Sequence, residues 1–261
     1  MLTPQELQQF QTDGFLVVED LLKPQQVDLL ARVMRSDREL TRQVASRSDG
    51  EGGAIDLAVR NELPDDTMYG AIVRSRNLVE PMQDVLDGEV YHYHHKVIFK
   101  QPRVGGAWAW HQDYGYWYDN ACLFPLLGSW LIAVDPHRRE NGCLQVIRGS
   151  HLMGRVAHGP VGEQTGADPE RVAEALKLLE HVYVELRPGD AILFHCNLLH
   201  RSDQNHSDHP RWSLICCYNA ARNNPYRESR HPCYRPLDIW PHENIDQVGQ
   251  QHWNAIQSSL V

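Results

Sequence analysis

The chain is short of positive charge. Its 261 residues carry 25 Lys and Arg against 34 Asp and Glu, a net charge of −9. That deficit speaks against nucleic acid as a partner, since a phosphate-binding surface draws on clustered cations, and against an anionic membrane surface. No apolar run is long enough to span a bilayer. The opening MLTPQELQQFQTDGF has neither an apolar signal core nor a basic leader, so the expected setting is cytoplasmic. Six cysteines, at 122, 143, 196, 216, 217 and 233, contain no C-x-x-C pair and are read as reduced thiols packed as small apolar groups. Asn205-His206-Ser207 fits a glycosylation sequon, which carries no meaning without a secretory signal. Internal repeats and linkers are missing too, and one domain over residues 1–261 is the simplest expectation.

The apolar share is 42%, enough to bury a sizeable core. TPQELQQF opens a helix: Thr3 caps, Pro4 takes the first helical position and Glu6 completes a capping box. Asp13-Gly14 breaks it, and FLVVEDLL is β-prone. Val27, Leu30, Val33 and Met34, then Leu40 and Val44, form a helical stripe suited to packing on a sheet. Residues 46–66 are rich in glycine and charge at first and read as a mobile loop, either a lid or a plain surface excursion. From Val90 the chain is mostly short β runs: VYHYHHKVIF, GSWLIAVD, CLQVI, VYVEL, AILFH and RWSLICCYNA, with one helix behind Asp168-Pro169. Many short strands with turns between them predict a mainly β sandwich or closed barrel with flanking helices. The expected layout is a helical elaboration with the loop over 1–89, a core over 90–221 and an extension over 222–261.

WAWHQDYGYW, residues 108–117, sets His111 and Asp113 among aromatic rings. On a strand, positions i and i+2 share a face, so imidazole and carboxylate aim together. A second, distant His would complete two His and one carboxylate, which cover one face of an octahedral ion and leave three positions open, the arrangement of non-haem Fe(II) oxygenases. His200, after the strand-like GDAILFHCNLL, has the right context. Ser202 follows two residues on, and Arg211 eleven residues on. A guanidinium beside a hydroxyl is well built to hold a carboxylate through paired charge-assisted hydrogen bonds.

Together WHQD (110–113), ENGCLQVIRGSH (140–151), RPGDAILFH (187–195), HRSDQN (200–205) and RWSLICCYNA (211–220) resemble the phytanoyl-CoA dioxygenase family of Fe(II)/2-oxoglutarate oxygenases, and the N-terminal LTPQELQQFQTDGFLVVEDLL is similar as well. The resemblance implies a double-stranded β-helix, a jelly roll of two facing sheets. It implies Fe(II), 2-oxoglutarate and O2, with His111, Asp113 and His200 as the metal ligands and Arg211 and Ser202 on the distal carboxylate of the cosubstrate. The expected reaction oxidises a small molecule, foremost by hydroxylating an unactivated C–H, while 2-oxoglutarate becomes succinate and CO2. Asp113 favours hydroxylation over halogenation, whose enzymes lack the metal carboxylate. Desaturation, epimerisation and ring closure use the same triad.

Other residues carry weaker expectations. Lys96 is a candidate for the cosubstrate or substrate. Tyr114, Tyr116 and Trp117 are candidates for the substrate cavity, with ordinary core packing as the competing reading. Gln112 should point away from the ligands, and Asn197 either orients a ligand or caps a turn. In HYHHK a regular strand would put His92 and His94 on one face, as in a cupin metal site, but the Glu such a site would want is missing. Arg222, Arg227, Arg230 and Arg235 form a basic stretch, read as a solvated face or as a contact for an anionic substrate or partner. Two competing functions stand beside the oxygenase: a non-catalytic relative that binds a ligand or partner, and a cupin-type isomerase or hydrolase without 2-oxoglutarate. Family members act on acyl-CoA thioesters, on solutes such as ectoine and on natural products. Trp117 matches a position of the ectoine hydroxylases, but Ile215 and the stretch around Trp117 depart from them. The ending SSLV is not a peroxisomal one, which speaks against a phytanoyl-CoA substrate.

Overall fold

The computed structural model describes residues 1–259; Leu260 and Val261, the end of SSLV, lie outside them. Seven strands form the large sheet: β1 (Phe15–Val18), β2 (Ala45–Ser48), β3 (Ala54–Arg60), β4 (Val90–Lys100), β6 (Leu127–Ala133), β11 (Ala191–His195) and β13 (Arg211–Ala220), in the order β1-β11-β6-β13-β4-β3-β2. Facing it, β5 (Trp108–His111), β7 (Leu144–Ile147), β10 (His181–Val184) and β12 (His200–Ser202) lie in the order β10-β7-β12-β5. β8 (His158–Val161) and β9 (Gln164–Ala167) make a separate hairpin. This is the expected double-stranded β-helix.

Alternation along the large sheet separates two interiors. On β13, Trp212, Leu214, Cys216 and Tyr218 are on the side packed with helices, while Ile215 and Cys217 pack between the sheets. The helical layer holds α1 (Pro4–Asp13), α2 (Pro24–Ser36), α3 (Arg38–Arg42), α4 (Met68–Arg74), α5 (Arg76–Leu86) and the C-terminal α8 (Asn244–Ser258). The Thr3–Glu6 capping box is present, and α1 ends at Gly14 with φ 82°, where a Cβ would sit 2.5 Å from His151 Nδ1. α7 (Pro169–Leu178), capped by Asp168, buries Val172 and Ala175 on the outer side of the small sheet. All six cysteines are free thiols, and five are buried. No helix among the described residues is long and apolar enough to cross a membrane.

Three departures from the sequence reading matter for the site. First, much of the glycine-rich stretch 46–66 is not loop. It holds the β2–β3 hairpin, which adds an edge to the large sheet, so residues 1–89 supply three strands as well as helices. Glycines and charges at the turn hid the alternation of Ile55 and Leu57 beside it. Second, β4 carries a bulge: Cys217 pairs with His94 but Tyr218 pairs with His92, leaving Tyr93 as an extra residue. Alternation therefore reverses, and His92 and His94 do not share a face. His92 turns toward the helices and bonds His95 at 3.1 Å, while His94 faces between the sheets. Third, β5 stops at His111, and Asp113 opens the short helix α6 (Asp113–Trp117).

The hairpin is tied down by Asp49, whose carboxylate accepts the backbone N–H groups of Glu51, Gly53 and Ala107 and the Gln204 side chain, each at 2.8 Å. Burial pushes its pKa up, but these donors outweigh burial and bring it down from 3.8 to about 2. The depressed value stabilises the fold by ~2 kcal/mol above the unfolded-state pKa, and that contribution is lost as pH falls through the folded one. Asp49→Asn is expected to lower the urea midpoint by a constant amount above roughly pH 4, with the gap to the parent closing toward pH 2. A gap that did not change with pH would assign the loss to packing.

Candidate metal centre

β5 and β12 are antiparallel neighbours in the small sheet, with His111 opposite His200. Their rings approach to 4.1 Å between centroids. Gln112 is still extended (φ −113°, ψ 137°), which carries the alternation one residue past the strand and returns Asp113 to the side of His111. One ligand atom from each of His111, Asp113 and His200 lies within 4.8 Å of the others, and all three residues are buried.

The local bonding suits these side chains to a metal. His111 Nδ1 is 2.8 Å from the carbonyl of Ala109, and His200 Nδ1 is 2.9 Å from that of Leu198. Each Nδ1–H thus has an acceptor two residues upstream, which fixes the tautomer and leaves the Nε2 lone pair free. Burial holds both rings neutral: for His111 the nearby His200 adds to the effect, for His200 the Asp113 carboxylate opposes it. The Ser129 hydroxyl donates to Asp113 Oδ2 at 3.2 Å, and Lys96 Nζ lies 3.9 Å from Oδ1. Behind the centre, the Gln112 amide donates to the carbonyls of Gly154 and Asn197 and accepts from Val156 N–H. Gln112 does point away from the ligands, where it ties the loop at 154–156 to the loop at Asn197. Asn197 therefore meets the centre through its backbone. Glycine is required at 115 because the His158 ring passes 2.2 Å from where a Cβ would stand.

A narrow inner chamber of about 50 Å³ leads from His111 and His200 to Ser202 and Arg211, between Lys96, Ile98, Leu131, Leu144 and Ile215. Arg211 is 3% exposed; its Nη1 donates to Ser213 Oγ at 3.1 Å, and its Nε has no partner. Burial lowers its pKa to about 10, which still leaves it cationic. Directly across the ladder is Lys100, also buried, whose ammonium donates to Ser202 Oγ at 3.0 Å and to the Asp203 carbonyl. Burial, then Arg211, hold the Lys100 pKa well below the usual lysine value. Two buried basic groups meet here with no carboxylate in ion-pair contact with either among the described residues. Such a pair is costly unless an anion completes it.

Lys100 escaped the sequence reading. The available signal was its place four residues after Lys96, on the same face of one strand. Lys96 itself lines the chamber at its metal end. A wider outer chamber, about 410 Å³, opens on the other side of the centre, and Tyr116 and Trp117 line it with His111 and Asp113. Tyr114 does not. It is 3% exposed, its hydroxyl donates to the Cys122 carbonyl at 3.0 Å, and it packs between the sheets. The helical turn from Asp113 rotates position 114 into the core while 116 and 117 come round to the chamber.

The basic stretch is divided. Arg222 caps the carbonyl end of α5 at Leu86 and Asp87, whereas Arg230 lines the outer chamber.

The family model for phytanoyl-CoA dioxygenase matches residues 10–213. L-proline trans-4-hydroxylase of Streptomyces griseoviridis is 30% identical over 251 residues, covering 90% of this chain and 92% of that protein. Ectoine dioxygenase of Bordetella parapertussis is 27% identical over 258 residues, covering 91% of this chain and 82% of that one. In fold, the crystal structure of EctD from S. alaskensis with 2-oxoglutarate and 5-hydroxyectoine superposes with a TM-score of 0.76 at 22% identity, over 92% of this chain and 89% of the other. The chain belongs to the phytanoyl-CoA dioxygenase family and is a 2-oxoglutarate-dependent dioxygenase, with Fe(II), 2-oxoglutarate and O2 as its cofactors.

Proposed function

We propose that the chain hydroxylates an unactivated C–H of a small organic molecule, with 2-oxoglutarate decarboxylated to succinate and CO2. The observation that carries this reading is one chamber lined by His111 and His200 of the metal cluster at one end and by Ser202 and Arg211 at the other, with Lys100 bonded to Ser202 behind it.

In this reading His111, Asp113 and His200 would hold Fe(II). Iron bound there would supply chelation of the keto acid and activation of O2. Arg211 takes the distal carboxylate of 2-oxoglutarate through its guanidinium, with Ser202 and Lys100 beside it. Lys96 sets a positive charge at the metal end. Ser129 keeps the Asp113 carboxylate oriented, and Ile98, Leu131 and Ile215 keep the path between the two ends dry. A dry path strengthens each charge-assisted bond to the cosubstrate. The outer chamber has the size of a small-molecule pocket, and Tyr116 and Trp117 are its aromatic walls. The relatives named for proline and ectoine support a substrate of this scale. A cupin isomerase has no use for Arg211, and a non-catalytic relative has no use for a complete ligand set.

The test is an anaerobic titration of apo protein with Fe(II) and then 2-oxoglutarate, followed by the visible charge-transfer band of the chelated keto acid. The band is expected once both are present. Iron binding without a band would overturn the 2-oxoglutarate reading and favour the cupin-type one.

A further inference from the structure

The outer chamber carries more positive charge than the cofactors need. In a chain of net charge −9, its lining includes Arg47, Lys96 and Arg230 but one carboxylate, Asp113, which is assigned to the metal. Arg47 comes from the β2–β3 hairpin and lies over Trp108, 4.6 Å from the ring centre. Arg230 comes from the C-terminal segment. Both are exposed at the rim, and neither is in an ion pair among the described residues.

Exposed cations alone would say little, and the second observation lies deeper. His94, brought inward by the β4 bulge, is 3% exposed and lines the same chamber. It stacks on His231 with centroids 4.8 Å apart and planes 28° from parallel, and it meets Trp117 edge-on at 5.7 Å. His231 also lines the chamber, and the Nδ1 atoms of both rings are buried without a hydrogen-bond partner. Burial, then nearby cations, keep both imidazoles neutral, His231 with a pKa of about 4. A neutral imidazole has one N–H to give and one lone pair to receive. Both Nδ1 atoms are sealed from solvent, so the Nε2 atoms, which have no hydrogen bond among the described residues, are the ones left to a polar ligand in the chamber.

We propose that the outer chamber is a subsite for a small organic carboxylate. Arg47 and Arg230 meet the substrate's carboxylate at the rim, and the stacked His94–His231 pair hydrogen-bonds a second polar group. The reacting C–H is thereby turned toward His111, Asp113 and His200. This subsite deepens the oxygenase reading and rests on it.

The test uses full-length protein loaded with Zn(II) and saturating 2-oxoglutarate, so that the cosubstrate site is filled. Small L-amino acids, L-proline among them, are each compared with their primary amides by ligand-observed NMR. At least one acid is expected to bind, its amide about tenfold or more weakly. Arg47→Gln combined with Arg230→Gln, two exposed positions that leave the core untouched, is expected to erase that preference. His94→Gln should weaken acid and amide alike. Equal binding of acids and amides, binding by no acid, or a preference that survives the double variant would overturn the subsite. The Fe(II)–2-oxoglutarate band is recorded on the same wild-type preparation. With the band present, such failures count against the carboxylate subsite alone; without it, the oxygenase reading fails first.

Discussion

Replacing His200 with alanine is expected to end iron-dependent turnover and to weaken Fe(II) binding. His200 is one of three donors, and its Nε2 has no other partner to serve. The remaining His111 and Asp113 cannot cover an octahedral face, so both the metal and the position of the keto acid are lost. Turnover should fall by about three orders of magnitude or more, as when one member of a catalytic unit is removed. The fold should survive, because β12 keeps its backbone pairing with β5 and β7 whatever side chain stands at 200. Equilibrium dialysis with Fe(II), beside circular dichroism of the same sample, separates the two effects. Undiminished iron affinity would remove His200 from the ligand set.

Arg211→Ala is the second large effect, and its signature differs. The metal site stays whole while the far end of the inner chamber loses its guanidinium. Removing one partner of a buried charge-assisted contact costs about 2–5 kcal/mol, which is roughly a thirty- to several-thousand-fold rise in the dissociation constant of 2-oxoglutarate. Lys100 remains, bonded to Ser202, and should hold the loss toward the lower part of that span. The visible band should therefore return at high 2-oxoglutarate, with Fe(II) affinity unchanged. A band that saturates at the parent concentration would place the cosubstrate elsewhere.

The centre was legible because its chemistry is written as spacing. His111-x-Asp113 needs only an extended residue between its members. The nine-residue step from Ser202 to Arg211 matches a chain that leaves the small sheet and enters the large one. Strand order was not legible in the same way. β4 lies between β13 and β3, more than a hundred residues from one of its partners, and nothing local in VYHYHHKVIFK encodes that. The bulge was hidden too, since alternation read along one strand cannot show a residue that its partner skips. Lys100 reads in sequence as the charged end of a strand, although the even spacing from Lys96 already puts both on one face. Tyr114 took the competing reading, core packing, because the helical turn that starts at Asp113 decides which of the neighbouring rings face the chamber, and composition does not show that turn. The β2–β3 hairpin was missed because Gly50, Gly52 and Gly53 mark a turn without showing that strands flank it.

The extra residue in β4 has an implication for how this enzyme tolerates change. Between Lys96 and Lys100 the strand is locked to β13, and deleting one residue there would put the two lysines on opposite faces, turning one of them out among the helices. At Tyr93 the ladder already accommodates a misfit, so a gain or loss of one residue nearby alters only the His94 end. One strand thus joins a segment that serves the cosubstrate to a bulged end that brings His94 alone to the outer chamber. Substitutions at His94, which lines the outer chamber, should alter selectivity, whereas diversity at 96–100 should yield mostly inactive proteins. Lineages that share this strand would diverge in what they oxidise long before they diverge in how.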